Sequence, residues 1–321
     1  AAADPASEID AFVDAHTFPL IDGDRVHFVY RGEAEDLGLY LGYTWRREPD
    51  DFERVPGTDL WHLSYRLEPG GRYDYQLRVD LDDIMPDPLN PRRSPAHGEV
   101  SQLAMPGWSE AAYLADPAGG ERGRIDSVTF ASQLLGNERT IEVYLPPGYD
   151  GAAERAYPLV LVTDDADPLT LGQMRNTLDN LIGVTVAPCI VAFEHYPRGR
   201  RWAESFLTHR EEHAQMLGEE LLPYLRDRYR VRTDREATVL MGTATGAHAA
   251  VYTALRYPDL VGKVASQSLL SLGPHTESIV GGLPDDDARL ELHMEWCTVE
   301  IWDPGESFDQ RHENERLVKM L

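Results

Sequence analysis

Ala237-Thr238-Val239-Leu240-Met241-Gly242-Thr243-Ala244-Thr245-Gly246-Ala247-His248 reads as a strand, a tight turn and the start of a helix. Four of the first five residues are apolar and suit a buried strand, and Ala247–Tyr257 suits a helix. Between them, Gly242-Thr243-Ala244-Thr245-Gly246 has the Gly-x-Ser-x-Gly layout of a nucleophile elbow, with Ala244 in the serine's place. The spacing has physical reasons. The central residue sits on a sharp turn, so its side chain projects from the C-terminal edge of the sheet. Its neighbours two residues away are glycines because the turn packs tightly. The N–H that follows, that of Thr245, stands at a helix N-terminus, where it would face an oxyanion. A bare Gly-x-Ala-x-Gly match carries little. Between a strand and a helix it predicts an α/β fold.

The flanking sequence agrees. Arg139–Leu145 reads as a strand ended by Pro146-Pro147-Gly148-Tyr149. Tyr157–Thr163 is an unbroken apolar run, as in a strand buried on both faces. Gln173–Leu181 reads as a helix, Val184–Phe193 as a strand, and Arg210–Tyr229 as a long amphipathic helix with Met216, Leu217, Leu221, Leu222 and Leu225 on one side. Strands alternating with helices predict a mostly parallel sheet. Upstream the period changes to two, in Val26–Tyr30, Leu37–Tyr43, Trp61–Leu67 and Arg72–Leu81, which predicts a β-sandwich. Residues 84–123 are proline-rich and read as extended chain between domains. The predicted organisation is a helical lead-in over 1–20, a sandwich over 21–105, a linker over 106–123 and an α/β domain over 124–321.

Of the 321 residues, 42% are hydrophobic, enough for a real core, and no apolar run is long enough to span a membrane. The charge is unusual: 55 acidic residues against 30 basic ones, for a net charge of -25. Lys263 and Lys319 are the only lysines. Acid spread along the whole chain opposes nucleic acid and anionic membranes as partners, and it resembles the composition of halophile proteins. Cys189 and Cys297 both read as small buried thiols. The N-terminus shows no signal peptide, which predicts a cytoplasmic protein, and no initiator methionine, which predicts one that is processed, tagged or trimmed. Trp45 and Trp61 with Tyr40, Tyr43 and Tyr65 offer a candidate stacking platform for a glycan, although aromatics alternating in strands also build cores.

Beyond the elbow, Tyr257-Pro258-Asp259-Leu260-Val261-Gly262-Lys263-Val264-Ala265-Ser266-Gln267-Ser268 is similar to a Pro-x-x-Phe-Gly-x-x-x-Ser-Gln-Ser-Gly stretch of the enterochelin esterases. Pro56-Gly57-Thr58-Asp59-Leu60-Trp61-His62 resembles that family's Pro-Gly-Thr-Asp-Val-Trp-His strand, and Asp87-Pro88-Leu89-Asn90-Pro91-Arg92 with Met105-Pro106 resembles its interdomain connection. The resemblance spans roughly residues 20–320. It implies an N-terminal early-set (Ig-like) β-sandwich followed by an α/β-hydrolase domain. It also implies ester hydrolysis in catecholate siderophores such as enterobactin, with no metal or other cofactor in the chemistry. Arg198, Arg200, Arg201 and Glu204 lie where the family carries an Arg/Glu-bearing loop that helps hold the anionic ligand.

The sequence departs from that family at the site itself. Ala244 has no lone pair with which to attack a carbonyl. The family's Gly-Gly-His-Asp segment is not found, and the sequence stops at Leu321 where a last strand and helix are expected, which predicts an open sheet edge covered by another subunit. Of the later histidines, His275 is the candidate ligand contact on a loop, while His293 reads as structural and His312 as a solvated helix residue. The oxyanion turn is Asp164-Asp165-Ala166-Asp167, where the N–H of Asp165 is a candidate donor but the carboxylates repel an oxyanion. Asp303, after an expected strand Leu290–Trp302, is the candidate triad acid, with Glu300 and Glu306 behind it; a turn before Pro304-Gly305 also accounts for it. Three readings stay open: a non-catalytic esterase homologue kept for binding or assembly, a genuine siderophore-type esterase with an engineered Ser-to-Ala change and a missing C-terminal segment, and a glycan-binding or scaffold protein.

Overall fold

The computed structural model describes residues 5–42, 49–94, 98, 100–149, 154–164, 168–169, 172–271, 273–280, 290–297, 302–303 and 308–320. The chain divides into two units, Ala1–Glu110 with Ile301–Ser307, and Ala111–Glu300 with Phe308–Leu321.

The first unit begins with helix α1 (Pro5–Ala15) and continues as short strands: β1 (Leu20–Asp22), β2 (Arg25–Arg31), β3 (Leu37–Leu41), β4 (Asp50–Asp51), β5 (Glu53–Arg54), β6 (Leu60–Arg66), β7 (Arg72–Val79), β8 (Asp83–Met85) and β9 (Ser101–Ala104). They form two antiparallel sheets, β1-β2-β6-β5 and β4-β3-β7-β8, with β9 also on β7. The period-two pattern explains the core. In β7, Tyr73, Tyr75, Leu77 and Val79 point inward to Phe28, Leu37, Leu39 and Trp61, and the residues between them face outward. Trp61 is therefore a core residue and not an open stacking surface, and Tyr43 and Trp45 lie outside the described residues. The proline-rich stretch also corrects its reading as extended chain. It supplies β8 and β9, and between them a buried polar knot: Tyr75 Oη donates to Asp87 Oδ2 (2.7 Å), and Asn90 Nδ2 donates to Tyr75 Oη (2.9 Å) and to the carbonyl of Gln102 (3.0 Å).

The second unit is built on a seven-stranded sheet. Its strands are β10 (Arg124–Ser132), β11 (Asn137–Leu145), β12 (Leu159–Thr163), β13 (Ile190–Glu194), β14 (Thr238–Thr243), β15 (Lys263–Gln267) and β16 (Glu291–Glu295), in the order β10-β11-β13-β12-β14-β15-β16. β10, β11 and β13 pair antiparallel, and every later pairing is parallel. Helix α2 (Met174–Leu181) lies on one face. On the other lie the long helix Arg210–Arg228 and α6 (Thr245–Arg256). β12 shows why its run is apolar throughout: Leu159 and Leu161 pack with the long helix and α6, while Val160 and Val162 pack with Phe193 and α2.

The long helix is interrupted. After α3 (Arg201–Ser205), it runs as α4 (Arg210–Gln215), a π-helical turn (Met216–Leu221) and α5 (Leu222–Arg228). Pro223 lacks an N–H and its ring crowds the carbonyl four residues back, so the turn before it widens. Three other expectations are corrected. The strand expected over Val184–Phe193 is β13 alone, because Val184 is exposed in a turn closed by Gly183 N–H to Val186 O (2.8 Å). Of the strand expected over Leu290–Trp302, β16 takes Glu291–Glu295 and ends before Cys297, which is exposed, whereas Cys189 is buried; both thiols are free. His275, expected on a loop, lies in helix α7 (Gly273–Val280). β17 (Trp302–Asp303) and β18 (Phe308–Asp309) are two-residue strands, and α8 (Gln310–Met320) follows. Among the described residues no strand pairs with the outer side of β16, and no helix is long and apolar enough to cross a membrane.

Candidate active site at the strand-to-helix elbow

Ala244 joins β14 to α6 with φ 54° and ψ -109°. A residue with a Cβ pays strain there, of order 1–3 kcal/mol. Its surroundings hold it in place. Its N–H donates to Gln267 O (3.0 Å), and its own carbonyl accepts from Leu270 N (3.3 Å) and His248 N (3.3 Å). The flanking glycines are sterically required. A Cβ on Gly242 would lie 2.3 Å from the Gly246 carbonyl carbon, and one on Gly246 would lie 1.9 Å from Thr163 O. Thr163 Oγ1 donates to Gly246 O (3.0 Å), which ties the end of β12 to the elbow.

Thr245 is buried at the N-terminus of α6, where first-turn N–H groups lack helical acceptors and anions are favoured. Arg201, the first residue of α3, donates its Nε–H to Thr245 Oγ1 (2.9 Å), and its Nη2 lies 3.9 Å from Asp164 Oδ1 at the end of β12. The structure therefore brings Ala244, Thr245, Asp164 and Arg201 together at one edge of the sheet. The guanidinium offsets the Asp164 carboxylate beside the position an oxyanion would take, which eases the repulsion anticipated from the sequence. Asp165 and Asp167 lie outside the described residues.

Of the other loop residues, Arg198 and Arg200 are exposed. Glu204 is fully enclosed. It accepts from Arg139 Nη2 (3.0 Å) and Asn137 Nδ2 (3.1 Å), with Arg200 Nη1 at 3.9 Å. Arg139, equally enclosed, also pairs with Glu194 on β13, whose carboxylate meets His213 Nε2 at 3.0 Å. Burial alone would raise the Glu194 carboxyl, but His213 and Arg139 outweigh it and hold it below its ordinary range. Burial pushes the neighbouring Tyr196 phenol well up, and Glu194 adds to the effect.

Asp303 lies in β17 and His275 in α7, and their side chains fall outside the described set, as do Glu300 and Glu306 entirely. His248 is a packing residue. Its Nδ1 donates to Ser205 O (2.9 Å), its Nε2 meets Thr276 Oγ1 (3.1 Å), and its ring stacks on Tyr252. His293 is exposed on β16 and His312 is exposed on α8. One carboxylate escaped sequence reasoning. Glu295 ends β16 beside Gln267, whose Nε2 lies 3.5 Å from Glu295 Oε2 and whose Oε1 accepts from Thr243 Oγ1 (3.2 Å). Only cross-strand register places that row. Among the described residues, no three His, Cys, Asp or Glu side chains group as a metal site.

Residues 132–317 match the model of a family described as "Putative esterase". The chain is 28% identical over 327 residues to the iron(III) enterobactin esterase of Dickeya dadantii, with 89% of this chain and 71% of that protein covered. The solved enterochelin esterase of Shigella flexneri superposes with a TM-score of 0.69 at 18% identity, covering 94% of this chain and 85% of that one. A structure of the Shigella flexneri enterobactin esterase obtained in the presence of 2,3-dihydroxy-N-benzoyl-serine gives a TM-score of 0.68, also at 18% identity, with 92% and 84% covered. The structural likenesses establish an α/β esterase-like fold on a multi-strand sheet.

Proposed function

The chain belongs to the esterase family whose model spans residues 132–317, and from that membership we propose that it binds an anionic, catecholate-bearing ester at the elbow without hydrolysing it. The observation that carries this reading is Ala244 held at φ 54° and ψ -109°: the elbow is built, and a methyl group stands where the nucleophile belongs. Neither neighbour supplies the missing hydroxyl. Thr243 Oγ1 is engaged with Gln267, and Thr245 Oγ1 with Arg201. What is left is recognition. The α6 N-terminus and Arg201 favour an anion or a polarised carbonyl, and exposed Arg198 and Arg200 extend the positive charge in a chain of net charge -25. The Shigella flexneri relative was solved in the presence of a catecholate-serine fragment, which supports the ligand class. In this reading the N-terminal two-sheet unit is the family's early-set sandwich.

The test uses the purified chain at high salt. Calorimetric titration with 2,3-dihydroxy-N-benzoyl-serine is expected to give saturable binding. Incubation with enterobactin, followed by chromatography of the products, is expected to give no cleavage above buffer. Hydrolysis by the chain as it stands, or the absence of any binding, would overturn the reading.

A further inference from the structure

Arg201 stands on α3, a helix of five residues, and one turn of helix does not hold itself together in water. Its position is set by side chains from elsewhere in the fold. At its last residue, Ser205 Oγ donates back to Arg201 O (2.6 Å) and His248 of α6 donates to Ser205 O (2.9 Å). One residue earlier, the Glu204 carboxylate is gripped by Arg139 and Asn137 of β11. The topology explains how residues so early in the unit reach the site. β11 runs antiparallel to β13 with Ile141 opposite Glu194, so Arg139 and Asn137 lie past the C-terminal end of β13, at the edge of the sheet where Ala244 stands.

Stability alone is a poor account of this arrangement. Taking a guanidinium and two carboxylates fully out of water costs about as much as their attraction returns, and well-packed apolar residues often serve as well. A guanidinium does give geometry: its rigid fork meets two carboxylates on two different elements at once. Arg139 spends one arm on Glu194 of the sheet and the other on Glu204 of α3. We propose that the Arg139–Glu204 pair is a positioning device that registers α3 against the sheet and thereby holds Arg201 on Thr245 and beside Asp164. The inference rests on the ligand-binding reading above and adds Arg139 and Glu204 to it as residues that act through Arg201.

The variant of choice is Glu204→Gln, which cuts the charged tie to α3 while leaving the Arg139–Glu194 pair in place. Arg139→Lys is the second, because an ammonium keeps the charge but loses the fork. Affinity for 2,3-dihydroxy-N-benzoyl-serine is measured in the unmodified chain, in each variant, in Arg201→Ala, and in Glu204→Gln combined with Arg201→Ala. Arg201→Ala and Glu204→Gln are each expected to weaken binding by about tenfold, and the combination by no more than Arg201→Ala alone, the non-additivity of coupled residues. Unchanged affinity in Glu204→Gln, or losses that multiply in the combination, would overturn the inference while leaving the binding reading intact. If Arg201→Ala has no effect, the binding reading fails. A crystal structure of Glu204→Gln then decides the inference without a ligand. Loss of the Arg201 Nε to Thr245 Oγ1 contact supports it, and retention of that contact refutes it.

Discussion

The carbonyl oxygen of Thr163 occupies the space into which a side chain at Gly246 would grow, only 1.9 Å from where a Cβ would be built. Backbone at the end of β12 and backbone at the start of α6 thus touch through a hydrogen atom, and the elbow depends on that closeness. Gly246→Ala is expected to cost about 3 kcal/mol or more, because both partners are main chain and neither can swing aside. Urea unfolding measures it. A loss below about 1 kcal/mol would mean the elbow is softer than its packing implies.

Ala244 makes the opposite case. At φ 54° an alanine is strained where a glycine is not. Ala244→Gly is expected to gain about 1 kcal/mol, the relief of strain less the extra chain entropy of glycine in the unfolded state. A thermal melt that moves down would show that the surrounding contacts, not the φ angle, set the energy of this turn.

Restoring a hydroxyl at the same position is expected to leave the protein inactive. Ala244→Ser supplies an atom that can attack, but a serine needs a base to take its proton. Among the described histidines of the second unit, His213 is bound to Glu194, His195 to Glu142, and His248 to Ser205 and Thr276, while His209 lies 3.9 Å from Glu212 and His293 and His312 are exposed on β16 and α8. Release of product from enterobactin by Ala244→Ser, well above the unmodified chain, would show that a base does reach the elbow.

The elbow was legible because its signal is local. Two glycines at fixed spacing, an apolar strand before them and a helix after them state the geometry within twelve residues. β7 was legible for the same reason, through its alternating tyrosines and aliphatics. What could not be read depends on distant partners. Glu204 looked like a ligand-facing loop acid, but it is enclosed because Arg139, 65 residues earlier, reaches it across the sheet edge. Glu295 drew no attention because its row with Gln267 and Thr243 exists only through parallel register. The proline-rich stretch looked extended because proline excludes regular structure locally, while the Tyr75–Asp87 bond that folds it into the first unit is a tertiary fact. Val184 looked like strand because periodicity cannot tell an apolar turn from the start of a strand.

Acid is expected to drain stability through Glu194. The group is held below its ordinary value of 4.5 in the fold because His213 and Arg139 outweigh its burial. Above that value it is charged whether folded or unfolded, and the buried pairing contributes in full. Below it, the unfolded chain takes up the proton first, so the folded state loses ground until the lowered folded value is passed. Urea midpoints followed from about pH 6 down to about pH 3 should therefore fall more steeply in the unmodified chain than in Glu194→Gln. Glu194→Gln itself should be less stable near neutrality, since it leaves the buried Arg139 with one carboxylate, Glu204, in place of two, and takes the carboxylate away from His213. Parallel slopes in the two proteins would remove Glu194 from the account.

Salt acts on the chain as a whole. A net charge of -25 means that, after every possible ion pair, a large excess of carboxylates still repel one another. Screening weakens the pairs as well as the repulsion. Surface pairs such as Arg66–Asp24 and Arg232–Asp234 are exposed and contribute little, so the relief of repulsion dominates. The melting temperature is expected to rise as sodium chloride increases from about 0.1 M to about 1 M, the range over which the Debye length shrinks from about 10 Å to about 3 Å. Chloride is the right salt for this measurement, because sulfate strengthens apolar burial in any protein by exclusion from its surface. A melting temperature that stays flat or falls over that range would mean the acids are already spaced or paired well enough in the fold, and the resemblance to halophile composition would have no physical consequence here.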